Sequence, residues 1–277
     1  MEGTGGEAEE RCMNSGIDIG TIAGIRIRAH WSVVVVCGVL TFALATLTFP
    51  AVDHHLSVDA SWLLAVVTTL LFYWSLLAHE ISHAVVARKN GIAVSGITLW
   101  LLGGMAQMKG EVTTPRAEAL MTGVGPLVTI ILGLAFYITA IILSALHAPI
   151  WLLVVPEWLA VMSALLAGFN LIPALPLDGG RLLHAFLWKR FNDRARATAV
   201  ASSIGRGFGW LIMLLGLADG IWLGSVEGSW FVVLGWFLQT AATSEARESS
   251  VRAALAAIHV GDIMDPHPPR HTRVDHG

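Results

Sequence analysis

Long stretches without any charged residue divide this chain. Residues 29–52, 60–78, 119–156 and 158–177 contain no Asp, Glu, Lys or Arg. A hydrocarbon core about 30 Å thick is crossed by roughly 20 apolar residues in a helix, and only helices and closed barrels span a bilayer. The third stretch is 38 residues long, and its interruption at 144–149 predicts the end of one helix and the start of the next. These stretches therefore predict four membrane-spanning helices.

Two weaker apolar stretches, 207–226 and 229–244, bring the expected number of spans to about six. Hydrophobic residues make up 55% of the chain and charged residues only 13%. Ordinary globular domains contain about 25% charged residues. The sequence therefore predicts an all-α polytopic membrane protein rather than a water-soluble domain.

A short β-structure is expected beside the helices. Residues 25–28 alternate apolar and basic side chains (Ile-Arg-Ile-Arg), as a half-exposed strand does. Residues 92–108 are apolar but too short and too rich in glycine to cross, and Gly103-Gly104 suggests a hairpin turn there. We expect a small membrane-associated β-sheet or hairpin. A re-entrant or interfacial loop explains the same residues equally well.

The basic residues predict the orientation of the chain in the membrane. If the N-terminus is cytoplasmic and six helices alternate, the opposite loops near 53–59, 146–150 and 225–228 contain no Lys or Arg. Basic loops stay on the cytoplasmic side. We therefore expect a multi-pass protein of the cell membrane with both termini in the cytoplasm. The residues on the cytoplasmic side are then Arg11, Arg26, Arg28, Arg88, Lys89, Lys109, Arg116, Lys189, Arg190, Arg194, Arg196, Arg206, Arg247 and Arg252.

The pentapeptide His79-Glu80-Ile81-Ser82-His83 follows directly on the second apolar stretch. Residues i and i+4 lie on one face of a helix, so His79 and His83 can offer two imidazole nitrogens to one metal ion. Glu80 lies beside them, where it can take a proton from a metal-bound water. A carboxylate at the centre of a membrane helix costs about 2.5–3.5 kcal/mol, which favours a functional role. The alternative is that Glu80 marks the wet end of the helix and the histidines are interfacial.

A catalytic zinc site usually has three protein ligands and a water, so the two histidines need a partner. Asp178 is the best candidate, because the second and fourth helices run in the same direction and both motifs arrive at the same depth. Pro173 and Pro176 would break the fourth helix just before it. His184 is a weaker candidate. The alternative is that residues 178–180 (Asp-Gly-Gly) form a plain cytoplasmic turn.

These motifs resemble the site-2 protease family of intramembrane zinc metalloproteases. The resemblance extends over roughly residues 17–245 and rests on the pentapeptide, on residues 170–179 (the pattern Asn-x-x-Pro-x-x-x-x-Asp-Gly) and on residues 123–126 (Gly-Val-Gly-Pro). It implies one zinc ion per chain, held by His79, His83 and Asp178, with Glu80 as general base and then general acid. It also implies that Asn170 contacts the substrate backbone or helps to stabilise the oxyanion. Family members often have Asn where this chain has Thr129, which puts a polar role at that position in doubt.

The C-terminal part of the sequence changes character. Residues 244–259 resemble a charged amphipathic helix, and residues 260–269 resemble the opening of a CBS domain, a module that binds adenine nucleotides in many proteins. Too few residues follow to complete that fold, so any nucleotide site lies outside this chain. We therefore divide the sequence into a cytoplasmic N-terminal segment (1–28), a transmembrane metalloprotease domain (29–245) and a cytoplasmic tail (246–277).

The sequence as a whole predicts an intramembrane zinc metalloendopeptidase that acts in regulated intramembrane proteolysis. Its expected partners are single-span membrane protein substrates and the lipid bilayer, with no nucleic acid, and a homo-oligomer is left open. The substrates should have a locally unwound segment, because a helix buries the carbonyl that must be attacked. Two alternatives remain, a metal-ion transporter that uses the same residues as a transient site and a catalytically inactive scaffold of the same fold.

Overall fold

The computed structural model describes residues 17–22, 24–100, 103–110 and 112–256. Helices dominate this part of the chain, and five of them, all except α5 and α7, are long and apolar enough to cross a membrane. The prediction of a polytopic helical membrane protein is confirmed. The helices are α1 (Trp31–Val52, with one π-helical turn at Leu44–Thr48), α2 (Val58–Lys89), α3 (Pro115–Ala145), α4 (Ile150–Asn170), α5 (Asp178–Phe191), α6 (Arg194–Trp222) and α7 (Glu227–Ala256).

The sixth predicted span lies in α7, which is helical but is not one of these five. Its apolar part is short, because charged residues begin at Glu245. The helix packs closely along α6 through paired glycines. A Cβ atom at Gly216 would lie 2.5 Å from the Gly228 carbonyl oxygen, and one at Gly235 would lie 2.5 Å from that of Gly209. Small residues of this kind let membrane helices approach to backbone contact.

The second helix extends beyond its apolar stretch. Its N-terminus is capped by Ser57, whose hydroxyl accepts a hydrogen bond from the Ala60 N–H (3.3 Å). At the other end Arg88 and Lys89 occupy the last turn, where positive side chains interact favourably with the helix dipole. The pentapeptide at 79–83 is therefore inside a continuous helix and not at its frayed end.

The fourth span ends at Asn170, and an irregular segment leads from it to Asp178. This agrees with the helix break expected from the two prolines. Helix α5, which begins at Asp178, was not predicted from the sequence. The next span was expected to start at residue 207, but α6 already begins at Arg194. Asp193 caps this helix by accepting a hydrogen bond from the Arg196 N–H (3.0 Å). The first turns of α6 contain charged residues, so the apolar stretch begins later than the helix does.

A four-stranded sheet covers one end of α2. Its strands are β1 (Ile17–Ile22), β2 (Ile25–Ala29), β3 (Ala93–Trp100) and β4 (Gly103–Lys109), in the order β1-β2-β3-β4. The pairs β1–β2 and β3–β4 are antiparallel, and β2–β3 is parallel. The expected strand at 25–28 and the expected hairpin are confirmed. However, Gly103 and Gly104 begin β4 instead of forming the turn, since they pair with Trp100 and Leu99.

The buried face of the sheet packs on α2. Ile25, Ile27 and Ile97 are fully enclosed and contact the helix near Leu77 and Ala84, on either side of the pentapeptide. This apolar contact fixes the hairpin β3–β4 against the helix, and thereby brings β4 to Glu80. Residues 257–277, which include the CBS-like stretch, lie outside the described residues, so that interpretation stays a prediction.

Candidate metal centre

Two histidines of α2 point the same way into the helix bundle. His79 is only 3% exposed and His83 is partly buried. The Nδ1 atom of His83 lies 2.7 Å from the carbonyl oxygen of Met121, which can only accept a hydrogen bond. The proton of this ring is therefore on Nδ1, and its Nε2 lone pair is free to bind a metal.

The imidazole ring of His79 is oriented in the same way, by Thr129. The Thr129 hydroxyl donates to the Gly125 carbonyl (3.1 Å), so its oxygen accepts from Nδ1 of His79 (2.8 Å). Position 129 thus has the polar role that the sequence comparison had put in doubt. An oxygen acceptor behind a metal-binding histidine orients the ring and makes it a better ligand. Met121 was not predicted from the sequence, and the contact of Thr129 with His79 was not predicted either, because each residue is far from the pentapeptide along the chain.

Asp178, the first residue of α5, completes a triangle of donor atoms. Its Oδ2 lies 3.2 Å from Nε2 of His79 and 3.3 Å from Nε2 of His83, and the two nitrogens are 3.1 Å apart. Four ligands arranged tetrahedrally at zinc–nitrogen distances of about 2.0–2.1 Å are about 3.3 Å from one another. The observed triangle therefore matches three of the four ligand positions around a zinc ion.

The carboxylate of Asp178 has the properties of a metal ligand. Its Oδ2 atom is buried and has no hydrogen-bond partner within the described part of the chain. This oxygen faces the Nε2 atoms of His79 and His83, whose protons lie on Nδ1. A buried carboxylate oxygen without a hydrogen-bond donor is a favourable position for a cation.

Gly125 provides the space in which the two imidazoles meet. A Cβ atom at this position of α3 would lie 2.2 Å from Nε2 of His83 and 2.8 Å from Cε1 of His79. Contacts below 3.0 Å are essentially never seen for real Cβ atoms. Only glycine therefore lets the backbone of α3 approach the donor atoms so closely.

Glu80 lies beside the triangle and is not one of its three clustered donors. Its Oε1 accepts a hydrogen bond from the backbone N–H of Gly104 in β4 (3.2 Å). A Cβ atom at Gly104 would lie 2.4 Å from Cγ of Glu80. The second glycine of the hairpin is therefore explained by its approach to this carboxylate, and not by the turn geometry expected from the sequence.

The glycines after Asp178 hold the irregular segment against α5. A Cβ atom at Gly179 would lie 2.2 Å from the Leu171 carbonyl oxygen, and one at Gly180 would lie 2.3 Å from the Leu175 nitrogen. Residues 171–177 therefore pack onto the first turn of α5. The alternative interpretation of residues 178–180 as a plain turn is wrong, since they open a helix at the donor triangle.

The structure places the remaining sequence candidates elsewhere. His184, the spare ligand candidate, has both ring nitrogens next to other partners, Glu118 and Thr198. Asn170 is the last residue of α4 and is partly buried. Asp219, an acidic residue within the apolar stretch 207–226, accepts a hydrogen bond from the Ser225 hydroxyl and so helps to close the connection to α7.

Comparison with known proteins identifies the family. The model described as Peptidase family M50 matches residues 67–148 and 145–214, which is more than half of the chain and includes the whole donor triangle. The chain belongs to peptidase family M50. The resemblance to the site-2 proteases, seen first in the pentapeptide and in residues 170–179, is confirmed.

Relatives in this family carry zinc metalloprotease names. Rip3 of Mycobacterium tuberculosis is 39% identical over 256 residues, which cover 92% of this chain and 65% of Rip3. The zinc metalloprotease MJ0392 of Methanocaldococcus jannaschii is 31% identical, and the match covers 92% of this chain and 68% of that protein. The chain thus spans about two thirds of the length of these M50 relatives.

A solved structure supports the fold of this M50 chain. The site-2 protease from Methanocaldococcus jannaschii superposes with a TM-score of 0.53 and 26% sequence identity, and the match covers 83% of this chain and 95% of that one.

Proposed function

We propose that this M50 chain is an intramembrane zinc metalloendopeptidase that cleaves membrane-anchored polypeptides within or next to the bilayer. The observation that carries the proposal is the triangle of two nitrogens and one oxygen, whose donor atoms lie 3.1–3.3 Å from one another. His79, His83 and Asp178 would hold the zinc. When bound, the ion would polarise the scissile carbonyl and make a water more acidic.

Glu80 is the residue that moves the proton. Its carboxylate takes the proton from the attacking water and then gives it to the leaving amine, as general base and general acid. The Gly104 N–H holds Oε1 of this carboxylate, so the side chain stays beside the donor triangle during the reaction. We further propose that Asn170, at the end of α4, contacts the substrate backbone or helps to stabilise the oxyanion.

The sheet offers a way to hold an extended substrate. Strand β4 is one of the two edge strands of the sheet, and its Gly104 N–H donates to Glu80. An extended peptide that pairs with this strand through backbone hydrogen bonds would pass beside Glu80. We propose that the substrates are single-span proteins with a segment that unwinds easily, because only an extended segment can pair with a strand. Release of a domain from such proteins would be regulated intramembrane proteolysis.

The function is tested with a single-span model protein whose membrane segment contains a Gly-Pro break, reconstituted with the purified chain in liposomes. We expect the chain to cut this protein near the break, a strong zinc chelator to stop the reaction, and added zinc to restore it. The matched control replaces Gly-Pro by Leu-Ala, which keeps the helix intact and should prevent cleavage. Metal-independent cleavage, or none at all with zinc bound, would count against the proposal.

A metal-ion transporter is the second candidate for the same residues. Such a protein would use the three donors as a transient site and would move zinc into liposomes. The position of Glu80, held by β4 beside the donors and not among them, favours proton transfer over transport. Measuring zinc uptake in the same liposomes separates the two functions. The intact set of donors and Glu80 also argues against an inactive scaffold.

We propose that α7 crosses the membrane together with the five candidate spans and that both ends of the chain therefore face the cytoplasm, because the basic residues then gather on one side. In a chain with Cys12 and Cys37 replaced by serine, cysteines at the exposed positions His54 and Val226 should react with an impermeant maleimide added outside cells. A cysteine at Lys189, an exposed residue of α5, should react only after the cells are opened. The reverse pattern would overturn the orientation.

A further inference from the structure

Outside the proposed metal centre, a second buried polar cluster joins three helices. His184 of α5 is only 6% exposed. Its Nδ1 lies 2.9 Å from both carboxylate oxygens of Glu118, in the first turn of α3, and its Nε2 lies 3.0 Å from the Thr198 hydroxyl of α6. None of these residues has a role in the proposed chemistry.

The directions of these hydrogen bonds show that the histidine is held from both sides. The Thr198 hydroxyl donates to the Arg194 carbonyl (3.0 Å), so its oxygen accepts from Nε2 of His184. The carboxylate of Glu118 faces the other nitrogen with both oxygens. Buried polar groups that are paired in this way are costly to separate, because each partner would be left without a hydrogen bond away from water.

The cluster lies between α3 and the helix that begins with Asp178. Helix α3 already carries the two acceptors that orient the histidine ligands, Met121 and Thr129. Glu118 precedes Met121 by about one turn of this helix, and its partner His184 lies six residues after Asp178 on α5, about 9 Å along the helix axis. A contact between Glu118 and His184 therefore sets the position of α5, and with it the third donor, relative to the same helix.

We infer that Glu118 and His184 are a positioning pair that aligns Asp178 with the two histidines, so that α3 arranges all three proposed metal ligands. The inference rests on the proposed metal site. The irregular segment before Asp178 packs on the first turn of α5, and the pair of His184 with Glu118 joins the same helix to α3. Loss of the pair lets Asp178 move away from the triangle without removing any ligand.

The test measures zinc affinity of the full chain in detergent by competition with a chromophoric chelator. Loss of outer hydrogen-bond partners typically weakens metal binding by about 10–100-fold. We expect about 10-fold for His184→Gln or for Glu118→Met, which removes the carboxylate acceptor, because the pair acts through the backbone of α5. The double variant should bind zinc about as tightly as the single variant with the lower zinc affinity, since either change already breaks the pair. Thr129→Val, which removes the acceptor of His79, serves as the positive comparison.

The matched control is Ser202→Ala, one turn after Thr198 on α6. Ser202 is fully buried, and its hydroxyl has no hydrogen-bond partner among the residues that the structure describes. Its loss should leave zinc affinity unchanged. Visible absorption of the cobalt-substituted chains gives a second readout, because it depends on ligand geometry. We expect the spectrum to change in the His184 and Glu118 variants and not in the control.

The outcomes separate this inference from the proposed function. If the unaltered chain binds no zinc, the proposed metal site is wrong. If it binds zinc, and the His184 and Glu118 variants show the same affinity and the same cobalt spectrum, the pair is only a structural contact and the inference is overturned. Should His184→Gln fail to fold, Glu118→Met, which keeps the length of the side chain but has no oxygen to accept the hydrogen bond, decides the question alone.

Discussion

A chain with Glu80 replaced by glutamine should keep one bound zinc ion and lose nearly all proteolysis. The amide has the size of the carboxylate and can still accept the hydrogen bond from the Gly104 N–H. It cannot take a proton from water, and general acid–base catalysis alone typically contributes about 10²–10⁴-fold to a rate. Zinc content by mass spectrometry and the rate of cleavage of the helix-broken model protein measure both effects.

The matched control for this variant is Glu227→Gln, which changes an exposed carboxylate in the first turn of α7. It should cleave at the parental rate. Because bound substrate is not cut, the Glu80→Gln chain should also retain the model protein when the two are purified together. Cleavage by Glu80→Gln at close to the parental rate, with its zinc in place, would falsify the proposed mechanism.

Replacing Gly125 with alanine should weaken zinc binding by about 100-fold without removing a ligand. The added Cβ would lie 2.2 Å from Nε2 of His83 and 2.8 Å from Cε1 of His79. Both imidazoles must then move away from their acceptors on α3, and loss of such partners already costs about 10–100-fold each. Zinc affinity by chelator competition measures the effect, and Asp178→Ala gives the value expected when a ligand is removed.

Gly123→Ala is the matched control on the same helix. A Cβ atom there would meet only Cδ2 of Leu182 at 3.5 Å, an ordinary contact. This variant should bind zinc as the unaltered chain does, and circular dichroism should show equal helix content for both alanine variants. Equal zinc affinity in Gly125→Ala and Gly123→Ala would mean that the two histidines do not meet beside α3 as described.

Much of the fold follows from local patterns that the sequence displays. Uncharged stretches identified the spans, because a bilayer selects for length and apolar character residue by residue. The alternation at residues 25–28 identified β2, and the prolines before Asp178 identified the end of α4. Uncharged stretches did not reveal α5, because it is a short amphipathic helix, or the start of α6, because its first turns are basic.

The two histidines and Glu80 were likewise accessible from spacing alone, because residues four apart share a face of any helix. The groups that surround the pentapeptide in the fold could not be predicted from spacing. Met121, Thr129 and Gly125 belong to α3, and Gly104 belongs to β4. Gly104, Gly125 and Thr129 lie in motifs that the sequence displays, but the sequence does not show that they face Glu80, His79 and His83.

The physical reason is the difference between local and long-range contacts. Periodicity, charge and proline act on neighbouring residues, so they determined where the chain crosses the membrane and which side chains share a helix face. The convergence of Asp178 on His79 and His83 joins residues about a hundred positions apart. That distance is closed by the packing of α2, α3 and α5, which depends on glycines that permit backbone contact and on buried hydrogen bonds such as that of His184 with Glu118. Only the folded chain shows these contacts.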